Sequence, residues 1–101
     1  MLYICGEYTC DPTKLRTGPI NYAKARGAKI WALEHRYYGE SSVLYKYGKG
    51  WTTANMKWLT AELALADMNA FIGFANGLQN KTKANWLVVG GSYPGALAGW
   101  F

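Results

Sequence analysis

Ser92 stands in a setting that could make its hydroxyl group reactive. An apolar run at 86–89 leads into Gly90-Gly91, then Ser92, and then Tyr93-Pro94-Gly95 and further small residues typical of a helix. A serine on so sharp a strand-to-helix turn stands clear of the strand, and the N–H group of the following residue faces the same space. The positive end of the helix would stabilise an oxyanion that develops there. This arrangement predicts nucleophilic attack on a carbonyl group.

The match to the Gly-x-Ser-x-Gly pattern is incomplete. Gly90 and Ser92 agree with it, but Pro94 occupies the place of the last glycine and Gly95 follows one residue later. The pattern predicts the nucleophile elbow of an α/β-hydrolase, near the C-terminal end of this sequence, with Ser92 in an unusual backbone conformation. An alternative remains open: a glycine turn that binds phosphate through backbone N–H groups, or binds nothing. No Lys or Arg lies within 85–101, which counts against a phosphate site.

The elements that would position this serine follow a regular order. Three short apolar runs are predicted to be buried strands: 2–5, 29–34 and 85–89. Helices are expected to begin near Pro19, after Thr60 as N-cap, and near Pro94. Strands that alternate with helices favour a parallel sheet with helices on both faces. The predicted fold is therefore α/β, a single domain over residues 1–101 with a parallel three-strand sheet and flanking helices.

The helix after Thr60 carries a wide apolar face. One stripe recurs every three or four residues: Leu63, Ala66, Ala70, Phe74 and Leu78. A neighbouring stripe consists of Leu65, Met68, Ile72 and Ala75. A helix with so wide a face is expected to pack on the sheet. The polar and aromatic segment 34–57 that precedes it is predicted to be a long loop.

The composition is that of a folded domain with a basic surface. Half of the 101 residues are hydrophobic, and the net charge is +5. Lysines and arginines are scattered rather than clustered, so neither nucleic acid nor a membrane surface is indicated as a partner. No apolar run reaches the roughly 18 residues that span a bilayer. The first residues lack the features of a signal peptide, so we expect either a cytosolic protein or an N-terminus upstream of this sequence.

Two cysteines, Cys5 and Cys10, stand close together near the start of the sequence. They are too few for a disulfide scaffold, and His35 lies too far along the chain to make a good third zinc ligand. A buried, free Cys5 is the expectation. A local bridge to Cys10 is the alternative, and it would imply an oxidising compartment.

Four stretches together resemble one family of serine peptidases. They are LYICGEY from Leu2, EHRYYGES from Glu34, LTAELALADMNAFI from Leu59 and GGSYPGALAGWF from Gly90. In order and spacing they are similar to the family of lysosomal Pro-X carboxypeptidase and dipeptidyl peptidase II, and the resemblance covers essentially the whole chain. The chain departs from the family at Tyr8, where glycine is common.

The resemblance implies a partial α/β-hydrolase core over residues 1–101, and it implies a function. Ser92 would be the acylating nucleophile of a serine-type exopeptidase, and the backbone N–H groups of Tyr93 and Gly6 would form the oxyanion hole. The family cleaves bonds after proline, as a carboxypeptidase or a dipeptidyl peptidase, so the expected substrates are peptides with proline at the cleavage site. Neither an organic cofactor nor a metal is implied. The expected location is lysosomal or secreted.

The usual partners of a catalytic serine do not follow Ser92 in this sequence. In α/β-hydrolases the chain order is serine, then acid, then histidine, and no Asp, Glu or His occurs after Ser92. We therefore expect the sequence to be an N-terminal part of a longer hydrolase, and the 101-residue chain to be inactive alone. His35 precedes the serine, and we predict that it anchors its loop rather than acting as the base.

Other candidate residues are expected to be structural. Glu34 and Arg36 are predicted to form an ion-pair network that holds the loop, and Asp67 to be a surface or packing residue. Packing roles are also expected for four aromatic residues: Tyr37, Tyr38, Trp51 and Trp58. Two functions of other classes remain as alternatives, a non-catalytic interaction domain and a small phosphate- or nucleotide-binding domain that uses the glycine turn.

Overall fold

Three parallel strands form the centre of the molecule. The computed structural model describes residues 1–46, 48, 50–81 and 84–101. Strands β1 (Leu2–Ile4), β2 (Trp31–Leu33) and β3 (Val88–Val89) form a sheet in the order β2-β1-β3. Leu2 pairs with Trp31 on one side and with Val88 on the other, and both pairings are parallel. The predicted parallel three-strand sheet is confirmed, although each strand is shorter than its predicted range.

Four helices accompany the sheet within the described residues. They are α1 (Thr17–Ala25), α2 (Val43–Lys46), α3 (Ala61–Leu78) and α4 (Tyr93–Trp100). Thr60 caps α3 as predicted, because its side-chain oxygen accepts a hydrogen bond from the N–H group of Leu63. The predicted loop 34–57 contains a 3-10 turn at Gly39–Ser41 and then α2. Among the described helices, none is long and apolar enough to cross a membrane.

The core lies where β1 meets α3 and α4. Five buried residues form it: Leu2, Ile4, Ala64, Met68 and Leu97. β1 is the central strand, and it is buried along its whole length. This position matters for function, since the chain that leaves β1 and the turn that follows β3 emerge at the same edge of the sheet.

One of the two apolar stripes predicted on α3 does not face the core. Met68 and Ala75 of the second stripe are buried, and Leu65 and Ile72 pack against the core. The first stripe turns outward, and its members Phe74 and Leu78 are each 60% exposed. The expectation that the whole wide face packs on the sheet is therefore wrong. A three-strand sheet offers too little surface to cover a face of that width.

Arg36 joins the segment after β2 to helix α3. Its Nε and Nη2 atoms donate to the two carboxylate oxygens of Asp67 at 2.7 and 2.8 Å, and Nη1 donates to the carbonyl oxygen of Trp58 at 2.7 Å. Asp67 is therefore an ion-pair partner, and its predicted role as a plain surface or packing residue is corrected. The paired carboxylate raises the pKa of the Arg36 guanidinium through its hydrogen bonds and its charge.

Cys5 and Cys10 form a disulfide bond. The expectation of a free Cys5 is wrong, and the alternative of a local bridge holds. The chain turns back directly after Cys5, where the N–H group of Tyr8 donates to the carbonyl oxygen of Gly6 at 2.8 Å. This turn brings the two cysteine Cα atoms to 5.6 Å, which is within the usual range for a bridge.

The aromatic residues of the long segment do not all pack as predicted. Tyr37 is buried, and its hydroxyl donates to the carbonyl oxygen of Asn55 at 2.8 Å. Tyr38 packs edge-on against the ring of His35. Trp51 is 44% exposed, yet its ring packs against that of Tyr38 with 6.0 Å between ring centres, which agrees with the packing role predicted for it. Trp58 is 55% exposed, so the packing role predicted for it is wrong. Trp58 lies on the surface with the Lys57 ammonium 4.8 Å from its ring centre.

Candidate active site

Ser92 lies between β3 and α4 in a strained backbone conformation. Its φ and ψ angles are 61° and −134°, and φ is positive at only three non-glycine residues of the described chain. Such a conformation costs about 1–3 kcal/mol and persists only where the surroundings enforce it. The side chain of Ser92 is exposed and makes no capping hydrogen bond to α4. The predicted strained strand-to-helix turn is confirmed, and it leaves the hydroxyl group free of its own helix.

The glycines around Ser92 allow the turn to be this tight. A Cβ atom on Gly90 would collide with the backbone carbonyl group of Pro94, so no side chain fits there. Gly95 approaches the same place from the helix, since a Cβ on it would lie 3.3 Å from the carbonyl oxygen of Gly90. β3 and the first turn of α4 are thus in backbone contact. This contact fixes the direction in which α4 leaves the strand.

Gly91 lies against a side chain rather than against backbone. A Cβ atom on Gly91 would lie 2.8 Å from the guanidinium carbon of Arg16. Arg16 precedes α1, and its side chain therefore reaches the residue next to Ser92. The sequence indicated no basic group near the turn, because the segment 85–101 contains none. Arg16 is 75 positions away, and only the parallel arrangement of β1 and β3 brings it here.

The two predicted oxyanion donors lie on facing segments. Tyr93 is the first residue of α4, and Gly6 follows β1. A Cβ atom on Gly6 would lie 3.2 Å from the Pro94 ring, which places the loop after β1 against the first turn of α4. Within the described residues, neither the Tyr93 nor the Gly6 backbone N–H group donates a hydrogen bond to protein. Neither group is therefore committed to a partner in the described part of the chain.

The loop that carries Gly6 is held from two sides. The disulfide closes it at Cys5 and Cys10. The carboxylate of Glu34 accepts hydrogen bonds from the N–H groups of Cys10 at 2.9 Å and Ser41 at 2.8 Å. Burial by itself would raise the pKa of Glu34, but these hydrogen bonds favour the charged form and hold the pKa below its ordinary value. Glu34 and Arg36 therefore have separate partners and do not form the single network that the sequence predicted.

His35 is buried behind the turn and contacts Tyr93. Its Nδ1 atom lies 2.8 Å from the carbonyl oxygen of Arg36, and its Nε2 atom lies 3.1 Å from the hydroxyl oxygen of Tyr93. The His35 and Tyr93 rings are 5.4 Å apart. These contacts agree with the anchoring role predicted for His35, since both ring nitrogens are engaged by groups other than Ser92.

The phenol of Tyr93 keeps its proton. Burial, first of all, raises the pKa of this hydroxyl group above its ordinary value, and the nearby Glu7 carboxylate raises it further. The hydroxyl is thus a hydrogen-bond donor at neutral pH. The structure brings His35, Tyr93 and Glu7 together in the wall of a cavity of about 210 Å³, completed by Tyr38 and Leu59.

A wider cleft adjoins this cavity and shares Glu7 and Tyr38 with it. Its volume is about 870 Å³, and its wall includes the exposed residues Tyr8, Glu40 and Trp51. In the described part of the chain, no group of three or more His, Cys, Asp or Glu residues could hold a metal ion.

A serine on a strained turn between a parallel strand and a helix is typical of serine hydrolases. The chain belongs to the family of serine peptidases described as serine carboxypeptidase S28, whose profile matches residues 1–101.

Several curated proteins are similar to the chain. A putative serine protease of Caenorhabditis elegans is 39% identical over 82 residues, which cover 81% of this chain and 14% of that protein. Thymus-specific serine protease of Mus musculus is 37% identical over 101 residues, 98% of this chain and 19% of that protein. Lysosomal Pro-X carboxypeptidase of Bos taurus is 38% identical over 80 residues, 78% of this chain and 16% of that protein.

The chain thus spans between 14% and 19% of the length of these three relatives. No solved structure matches it. The resemblance drawn from its four sequence stretches is confirmed by the family match and by the relative named as a Pro-X carboxypeptidase.

Proposed function

We propose that Ser92 is the acylating nucleophile of a serine exopeptidase with an α/β-hydrolase core, of which residues 1–101 form part. The observation that carries the proposal is the backbone of Ser92, with φ 61° and ψ −134° in an exposed turn between β3 and α4. A conformation of this cost is retained where it serves a function. Membership of a serine peptidase family supplies the chemistry that such a serine would perform.

In the proposed reaction, the Ser92 oxygen attacks the peptide carbonyl carbon, and the carbonyl oxygen becomes an oxyanion. The backbone N–H groups of Tyr93 and Gly6 would donate hydrogen bonds to it. The free state of both groups and the contact between the Gly6 loop and Pro94 support this assignment. The histidine of the triad takes the Ser92 hydroxyl proton and gives it to the amine as the C–N bond breaks, which leaves an acyl ester on Ser92. Water then hydrolyses this ester, which releases the acid and restores the hydroxyl group. An acid and a histidine of the complete protein, beyond residue 101, would complete the triad.

We further propose that the complete protein cleaves bonds after proline, as a carboxypeptidase or a dipeptidyl peptidase. The support is the relative named lysosomal Pro-X carboxypeptidase and the four matching sequence stretches. The proposed location is lysosomal or secreted. The Cys5–Cys10 disulfide supports it, because such bonds persist in oxidising compartments.

A fluorophosphonate probe tests the role of Ser92 in the complete protein. We expect covalent labelling of wild-type protein at Ser92 and none in the Ser92→Ala variant. Hydrolysis of an N-blocked peptide ending in Pro-Phe would establish carboxypeptidase action. Hydrolysis of an X-Pro amide with a free N-terminus would establish dipeptidyl peptidase action. Labelling that persists in Ser92→Ala would place the nucleophile elsewhere and refute the assignment.

A further inference from the structure

The surroundings of His35 hold its ring in one tautomer. The side chain is 4% exposed, and its Nδ1 atom lies 2.8 Å from the carbonyl oxygen of Arg36. A carbonyl oxygen only accepts hydrogen bonds, so Nδ1 carries the proton. In the neutral ring, Nε2 then bears a lone pair and is an acceptor. The backbone of Arg36 therefore prepares Nε2 to receive a hydrogen bond.

The group that donates to Nε2 is the hydroxyl of Tyr93, at 3.1 Å. Tyr93 is the residue directly after Ser92 and the first residue of α4. A tyrosine side chain has only two rotatable bonds before its ring, so a fixed hydroxyl and a fixed ring leave its backbone little freedom. The ring is also fixed, because it packs against His35 with 5.4 Å between ring centres.

We propose that His35 is a positioning residue for the oxyanion donor of this site. By accepting a hydrogen bond from the Tyr93 hydroxyl, His35 fixes the position of the Tyr93 backbone N–H group. It also helps to enforce the strained conformation of Ser92. The inference rests on the proposed function of Ser92 and deepens it. A strained residue needs surroundings that over-determine it, and the His35–Tyr93 contact is one such restraint outside the turn itself.

A purely structural role for His35 makes a different prediction. If His35 only filled space, a residue of similar volume would replace it. If it positions Tyr93, the replacement must also offer an acceptor near the place of Nε2. His35→Leu fills the space without an acceptor, and His35→Gln places an amide group that can accept the Tyr93 hydrogen bond. These two variants form a matched pair.

The experiment measures kcat and KM of the complete protein with a proline-containing peptide, together with Tm. For His35→Leu and Tyr93→Phe we expect kcat to fall on the order of tenfold, with KM within about twofold, because about 1.4 kcal/mol of transition-state stabilisation is lost. The double variant should be no slower than either single one, because both remove the same hydrogen bond. His35→Gln should recover most of the lost kcat. Tyr22→Phe is the control, because Tyr22 is 47% exposed on α1 and lines neither cavity.

Three results would overturn the inference. They are an unchanged kcat in folded Tyr93→Phe, multiplicative losses in the double variant, or a loss of rate in His35→Leu that His35→Gln does not reverse. Failure of the proposed function is a separate result, because wild-type protein would then not be labelled at Ser92. In that case a crystal structure of Tyr93→Phe decides. A shift of Ser92 away from positive φ supports the inference, and an unchanged Ser92 refutes it.

Discussion

Gly90 and Gly91 are adjacent, yet the structure gives them different tolerances. A methyl group on Gly90 would meet the backbone carbonyl of Pro94, which cannot move without displacing α4. A methyl group on Gly91 would meet the end of the Arg16 side chain, which is exposed and can rotate away. The sequence shows only that both glycines lie in the turn between the strand and the helix. It could not separate them, because the partner of Gly91 comes from the segment before α1.

The pair gives a direct comparison of stability. We expect Gly90→Ala to lower the free energy of unfolding by about 2–3 kcal/mol, which is typical of overpacking against backbone. Gly91→Ala should cost less than about 1 kcal/mol, because only a side chain has to move. Urea unfolding of the complete protein measures both values. Equal losses would mean that Arg16 cannot leave its place or that the turn at Gly90 can relax.

At the scale of elements, the segment after β2 is attached to the rest of the molecule by two charged residues. Arg36 joins it to α3 through Asp67, and Glu34 joins it to the loop after β1 through Cys10. The stretch EHRYYGES thus contacts both α3 and the loop after β1. The parallel sheet and the helix starts near Thr60 and Pro94 followed from the alternation of strands with helices and from capping residues. These partners did not, because residues 31 and 24 positions apart in the sequence leave no local signal of their contact.

Arg36→Lys tests the bond to α3. A lysine ammonium cannot reproduce the two parallel bonds to Asp67 or the bond to Trp58. Asp67 is 43% exposed, so solvent screens the pair, and we expect a loss of about 1 kcal/mol in the free energy of unfolding. Lys14→Ala is the control, since Lys14 pairs with Asp11 on the open surface and should cost almost nothing. A loss for Arg36→Lys no larger than that of the control would show that the guanidinium geometry is unimportant.

Glu34 gives a prediction in pH. Its pKa is lowered in the folded protein, so its contribution to stability is complete above the ordinary value of about 4.3 and is lost as the pH falls through the folded pKa. At pH 7, Glu34→Gln should lower the free energy of unfolding by about 1–3 kcal/mol, because the carboxylate accepts two backbone hydrogen bonds. The difference between wild type and variant should shrink below about pH 4.3. A difference that is constant from pH 7 to pH 3 would contradict the assigned cause.

For the molecule as a whole, the sheet is small and the exposed apolar surface is large. β2 and β3 are both edge strands of the described sheet. Several large apolar side chains are exposed: Phe74, Leu78, Leu87, Trp100 and Phe101. The sequence predicted the core correctly where alternatives were few, as in β1. It could not predict which half of the α3 face would be covered, because that depends on how much sheet lies beneath the helix.

The 101-residue chain alone should not hydrolyse proline-containing peptides. No acid or histidine follows Ser92, and the Nε2 atom of His35 is engaged with Tyr93. Without a base, a serine hydroxyl is a weak nucleophile. The measurement is turnover of a fluorogenic Pro-X peptide and fluorophosphonate labelling, with the complete protein as positive control. Turnover by the short chain that disappears in Ser92→Ala would show that a base within residues 1–101 reaches the serine.

The bridge between Cys5 and Cys10 also makes the loop around Gly6 a small covalent ring. Glu7, Tyr8 and Thr9 are exposed in this ring and open to attack by other peptidases. Cleavage of any peptide bond between the two cysteines would leave both pieces tied together through sulfur. Such a nicked molecule would gain the mass of one water and separate into two pieces only after reduction. The ring thus keeps β1 joined to the rest of the chain even when the backbone beside it is cut.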